Sequence, residues 1–279
     1  MPDVPSFLVF DIESVADAQL ISKVHFGSKV PPENAVRAYR DELLEKSNGD
    51  SDFIPYTFQI PVSVVIGKVN SNLELFEVVA IDEPNYRPHE ICAKFWKGWK
   101  AYKQPTLVSF NGRGFDIPML ELAAFRFGIS IPDWFAANAK TFEQPRNRFN
   151  IKAHLDLFDI LTNFGAARFN GGLNLAANIL GKPGKMDTMG FMVQDIYDNN
   201  PEDRSESLKR INDYCRCDVL DTYFVFLRTM ILSGNLSLSD EHTIVGKTKD
   251  WLNSQSEKVP VFRQYLEHWG DWQNPWEPQ

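Results

Sequence analysis

The sequence predicts an α/β fold with a central mixed five-stranded sheet flanked by helices. Three observations lead there. Phe7-Leu8-Val9-Phe10 is a continuous apolar run of the kind found in strands buried on both faces. Residues 106–127 read as strand, glycine-rich turn and helix. From Leu208, the positions Ile211, Cys215, Val219, Phe226 and Met230 recur at helical spacing. The chain has 279 residues, 43% of them apolar, which suits one large domain over 1–279 with a substantial core.

Strand one covers about 6–12. Residues 14–60 are polar and broken by Pro31-Pro32 and Ser47-Asn48-Gly49-Asp50, so they read as an insertion carrying a helix over 33–46. Strands at 61–69 and 73–81 flank Asn70-Ser71-Asn72, a hairpin signal. A helix over 90–102 follows, then a strand at 106–110 and a helix over 117–127. Asp116 is a candidate cap for that helix, with Pro118 in its first turn. Residues 130–150 are irregular and include Arg146 and Arg148. A fifth strand ends near Asp156, itself a candidate helix cap. The first three strands are consecutive and the last two join through helices. A C-terminal extension over 236–279 holds Trp251, Trp269, Trp272 and Trp276. Clustered aromatics there are expected to dock the extension to the body rather than to stack on bases.

The net charge of −8 argues against a protein that coats nucleic acid by charge alone. It leaves room for an enzyme holding one strand end at bound cations. Cys92, Cys215 and Cys217 form no zinc or disulfide framework, which fits a reducing cytoplasm. The start, Met-Pro-Asp-Val-Pro, lacks the basic and apolar regions of a signal peptide. No apolar run approaches membrane-spanning length, so a cytoplasmic location without a membrane is expected.

Three short signatures carry the chemistry. Asp11-Ile12-Glu13 ends the first strand; alternation puts both acids on one side. Taken alone this pattern is weak, since a chain this long holds about one by chance. Asn111 through Phe115-Asp116 sits at the carboxyl end of a strand, where ligands collect in α/β sheets. Tyr214 and Asp218 are four apart on the late helix and share a face. Four carboxylates gathered in one cleft repel unless divalent cations bind them. Oxygen donors without a His/Cys set suit Mg²⁺ or Mn²⁺ rather than zinc. That combination points to metal-dependent phosphodiester chemistry.

In this order the signatures resemble the DEDDy branch of the 3′–5′ exonucleases in the ribonuclease H-like superfamily. The likeness is to the proofreading exonuclease domain of family B DNA polymerases and its stand-alone bacterial relatives. It runs from about residue 6 to 232, and it includes His154-Leu155-Asp156-Leu157 and the Gly181-Lys182-Pro183-Gly184-Lys185 turn. The resemblance implies a 3′–5′ exonuclease acting on single-stranded nucleic acid, DNA before RNA. Asp11, Glu13, Asp116 and Asp218 would hold two divalent cations, with Tyr214 as the fifth catalytic residue and Asn111 and Phe115 at the terminal nucleotides. DNA repair is the pathway it suggests. Arg113, Arg168, Lys182 and Lys185 are candidate phosphate contacts.

His154 and Asp159 also fit the His-x₄-Asp motif of the sister branch. Residues 151–160 alternate like a strand entering a helix, and Tyr214-x₃-Asp218 lies on the better amphipathic helix, so the tyrosine reading is preferred. The rivals are an exoribonuclease or oligonucleotidase of the same superfamily and an inert nucleic-acid-binding module.

Overall fold

A computed structural model describes residues 4–186, 193–199 and 203–276. The first three residues of the start and the last three of the extension lie outside the described residues.

The chain begins with the long strand β1 (Phe7–Ala16), then α1 (Ala18–Leu20), a π turn (Ile21–His25) and α2 (Pro32–Lys46). The hairpin β2 (Gln59–Val69) and β3 (Leu75–Ala80) follows, then α3 (Pro88–Ala101), β4 (Thr106–Ser109), α4 (Asp116–Phe127) and the short α5 (Pro132–Phe135). Next come β5 (His154–Asp156), α6 (Leu157–Thr162), α7 (Gly172–Ile179), α8 (Val193–Asp198) and the 28-residue α9 (Ser205–Leu232). The helices α10 (Leu238–Gln255) and α11 (Val261–Glu267) close the chain.

The five strands form one mixed sheet in the order β3-β2-β1-β4-β5. The consecutive strands β1, β2 and β3 pair antiparallel, whereas β4 and β5, each reached through helices, run parallel to β1. This is the ribonuclease H-like arrangement that the sequence predicts. Alternation along β1 divides the core. Leu8, Phe10 and Ile12 join Ile91, Phe95, Trp96 and Leu120 of α3 and α4 on one face. Val9 joins Val65, Val108, Val219, Tyr223 and Phe226 beneath α9 on the other. Gly67 of β2 admits α9 this closely: a Cβ there would lie 3.2 Å from Val219 Cγ1 and 3.1 Å from Leu75 Cδ1.

Residues 18–58 have a small apolar cluster of their own, with Ile21, Ala35, Tyr39 and Ile54 buried. They follow the end of β1 that carries the acids. Residues 130–150, expected to be irregular, contain α5 and a single 3₁₀ turn, Thr141–Glu143. Two of the four late tryptophans meet the body as expected: Trp269 meets Phe224 edge-on, and Trp272 lies under the Arg228 guanidinium. Trp251 meets Phe262 within the extension. Trp276 is exposed. No helix among the described residues is long and apolar enough to cross a membrane.

Candidate active site

Asp11 and Glu13 project from β1 toward α9, on the same side as Val9. The pairing register with β2 shifts between Glu13 and Ser14, just past the second acid. Asp116 opens α4, and here the capping expectation is corrected. Phe115 occupies the cap position, and the Asp116 carboxylate makes no capping bond to the helix. It takes hydrogen bonds from the backbone of Ile12 on β1 and from its own amide, which ties α4 to the strand that carries the other acids. From α9, Tyr214 donates its phenol to Asp218 one turn later.

The four carboxylates sense one another. Burial, then the charges of Asp218, Asp116 and Glu13, hold the Asp11 pKa well above its ordinary value. Burial and the same neighbours, Asp218 and Asp116, raise Glu13, with the Lys185 ammonium opposing. Burial lifts Asp116 to about 7 and Asp218 to about 6, the latter against the Tyr214 hydrogen bond and Lys185. The Tyr214 phenol is pushed far above its usual value by burial and by Asp218, Glu13 and Asp11, so it remains a proton donor.

Lys185 sits in the glycine-containing turn after α7, and its backbone N–H bonds Asn174 Oδ1 at 2.9 Å. With Glu13, Asn111, Tyr214, Asp218 and Asp221 it lines a cleft of ≈ 530 Å³, walled by Phe110 and Phe158. The sequence placed Asn111 and Phe115 together as substrate contacts, and the structure separates them. Asn111 lines the cleft, while Phe115 packs against the α3–α4 core and the exposed ring of Phe53. Asp221 is fully buried and accepts the Tyr265 hydroxyl of α11 at 2.6 Å.

Of the candidate phosphate contacts, Arg113 is otherwise engaged. It pairs with Asp159 at 2.8 Å and donates to the His154 carbonyl at 2.7 Å. Lys182 is buried over the Trp269 ring at 3.9 Å. Arg168 is exposed. Asp156 caps α6 and also accepts the backbone N–H groups of Asn111 and Arg113 at 2.8 Å each, which fixes the glycine-rich turn. His154 is fully buried, 2.7 Å from Ser109 Oγ, and burial holds it neutral; with Asp159 bound to Arg113, the pair has no place in the cleft.

Sequence reading missed Cys215. It follows Tyr214 and precedes Asp218 by three, so it shares the Asp218 side of the helix. Its thiol donates to the Asp11 carbonyl at 3.3 Å and to Asp11 Oδ2 at 3.5 Å, and its donor atom lies within 4.8 Å of those of Asp11 and Glu13. Burial and Asp11 raise its pKa well above the usual thiol value, so without a cation it serves Asp11 as a neutral hydrogen-bond donor. The remaining donor set is carboxylate oxygen; no histidine lines the cleft among the described residues. Its crowded negative charge fits hard divalent cations.

Gly112 makes the middle signature compact. A Cβ there would collide with Ser109 Oγ and come within 3.2 Å of Asp116 Oδ2. Gly112→Ala is expected to cost about 1–3 kcal/mol of stability and to lower activity by displacing Asp116. Denaturant unfolding and nuclease rates on the same preparation check both.

The chain matches the family of predicted 3′–5′ exonucleases related to the exonuclease domain of PolB over residues 51–269. It belongs to this family. The exonuclease match takes in Asn111, Asp116, Tyr214 and Asp218, and Asp11 and Glu13 on β1 precede it. A DNA polymerase of Archaeoglobus fulgidus is 27% identical over 207 residues, which cover 71% of this chain and 25% of the polymerase. The chain thus spans about a quarter of the curated relative that it matches.

Proposed function

We propose that this protein is a metal-dependent 3′–5′ exonuclease that releases nucleotides from single-stranded DNA, with DNA repair as its setting. The observation that supports this most is the convergence of Asp11, Glu13, Asp116 and Asp218 from three elements: the other three all raise the Asp11 pKa, and Glu13 and Asp218 open on the cleft. Family membership supports the polarity. These four residues would hold two divalent cations, Mg²⁺ or Mn²⁺. When bound, the cations supply activation of water and charge stabilisation at the phosphate.

The chain's own groups do the rest. Tyr214 keeps its proton and donates a hydrogen bond to Asp218 at the cleft, where its hydroxyl oxygen orients the attacking water. Lys185 offsets the negative field at Glu13 and Asp218, and so admits a phosphate beside four acids. Asn111 offers an amide to the terminal nucleotide, and Phe110 and Phe158 give the cleft an apolar wall beside it.

The test is a 5′-labelled single strand of DNA, or the matched RNA, incubated with Mg²⁺, Mn²⁺ or EDTA. A ladder that shortens stepwise from the 3′ end only with metal, and faster for DNA, is expected. No cleavage of either strand by folded protein would remove the reading. Tyr214→Phe is expected to lower kcat by about tenfold, the scale of one lost orienting hydrogen bond, with metal affinity unchanged. Calorimetric titration with Mn²⁺ beside the kinetics separates the two; a collapse in metal affinity would make Tyr214 structural.

A further inference from the structure

Three phenylalanines from the end of α5 to β5 are exposed. Phe135 is 44%, Phe142 68% and Phe149 65% accessible. Each has a cation over its ring: Arg146 on Phe135 at 5.0 Å, Lys140 on Phe142 at 5.9 Å and Arg148 on Phe149 at 5.1 Å. Lys140, Arg146, Arg148 and Lys152 face a single acid, Glu143, in this segment, although the whole chain carries −8. Glu121 neutralises Arg146 through two hydrogen bonds. Arg148 and Lys140 make no ion pair among the described residues.

Ring contacts and one loop link Phe149 to the cleft. Phe149 meets Phe164 at 5.3 Å, and the loop from Phe164 leads past exposed Arg168 to Phe169. Phe169 in turn packs at 6.1 and 6.2 Å on Phe110 and Phe158, the aromatic walls of the cleft.

We propose that this surface is a landing track for single-stranded DNA upstream of the 3′ end held at the acids. The assignment rests on the exonuclease reading above. An exposed ring can stack a base, and a cation beside the ring can meet the flanking phosphate. The partner is single-stranded, because paired bases present no face to a ring. The positive segment in an acidic protein gives the track its charge complementarity, and it explains how a chain of net −8 retains a polyanion between cuts.

Steady-state kinetics on a trinucleotide and on a DNA strand of about 15 nucleotides test the track, since single-strand sites span roughly 4–16 nucleotides. Phe142→Ala and Phe149→Ala are expected to raise KM for the longer strand about tenfold each, the scale of one lost stacked base, and to leave the trinucleotide parameters unchanged. Arg148→Ala is expected to weaken the longer strand and to reduce the slope of log affinity against log salt by about 0.7. Equal effects on both lengths, or none on either, would overturn the track. So would variants that weaken only the matched RNA.

Fluorescence anisotropy of the labelled strand in EDTA reads binding without turnover. If the wild type cuts nothing, the exonuclease reading fails. The track then stands on weaker binding by the Phe149 variant and falls on equal binding. The replaced side chains are exposed, so thermal unfolding of the variants is expected to match the wild type.

Discussion

Asp11→Ala is expected to reduce metal-dependent cleavage by on the order of 10³-fold or more. Bound cations contribute several kcal/mol to phosphodiester chemistry, and each 1.36 kcal/mol is tenfold in rate. Asp11 is the acid on which the others converge: Asp218, Asp116 and Glu13 all act on its carboxyl, and Cys215 donates to it. It also stands on β1, the central strand, paired with Val65 of β2 just beyond the Val9–Val108 end of the pairing with β4. Alanine removes a charged group in an already repulsive cluster, and the variant is expected to remain folded. The measurements are kcat on a 5′-labelled strand at saturating Mn²⁺ and the Mn²⁺ dissociation constant by calorimetry. An unchanged rate would remove Asp11 from the catalytic set and with it the central member of the proposed site.

Much of this site is legible in the chain because its elements have strong periods. Phe7 to Phe10 can be little else than a doubly buried strand, and strand alternation then places Asp11 and Glu13 on one side. Likewise Tyr214 and Asp218 share a helix face whatever the rest of the fold does. What stayed hidden depends on contacts between elements. The sequence suggested Asp116 as a cap, since an acid before Ile117-Pro118 suits that role. The carboxylate instead answers the Ile12 backbone, a partner 104 positions away that no local rule supplies. Phe115 follows Asn111 in the same motif, yet the turn held by Asp156 sends the two side chains to different places. Cys215 looked like one more apolar helix position; only the approach of α9 to β1, through the gap at Gly67, brings its thiol to Asp11. Two acids on α9 show the same limit. Asp218 and Asp221 are one turn apart and both border the cleft, but Asp218 accepts Tyr214 of its own helix, while Tyr265 of α11 claims Asp221.

Asp218→Asn is expected to abolish cleavage to a similar degree and, at the same time, to stabilise the metal-free protein at neutral pH. The sign follows from the carboxyl. Its pKa stands at about 6 in the fold against an ordinary 3.8, chiefly because burial disfavours the charged form. The folded state therefore binds its proton more tightly than the unfolded chain. Stability is full below the unfolded value and is lost as pH rises from about 4 through 6, by on the order of a few kcal/mol. Asparagine does not ionise and escapes that loss. It also relieves Asp11 and Glu13, for both of which Asp218 is the strongest neighbouring charge, and its amide oxygen can still accept the Tyr214 hydroxyl. In EDTA the unfolding temperatures of variant and wild type should coincide near pH 4 and diverge by pH 7, with the variant higher. Added Mn²⁺ should reverse the order, because a cation at a hundred times its dissociation constant stabilises the fold that binds it by about 2.7 kcal/mol, and the variant binds it less. A wild type more stable than the variant in EDTA at pH 7 would show that Asp218 is paired with positive charge in the free protein, and that the acids do not form the repulsive cluster from which the need for cations was argued.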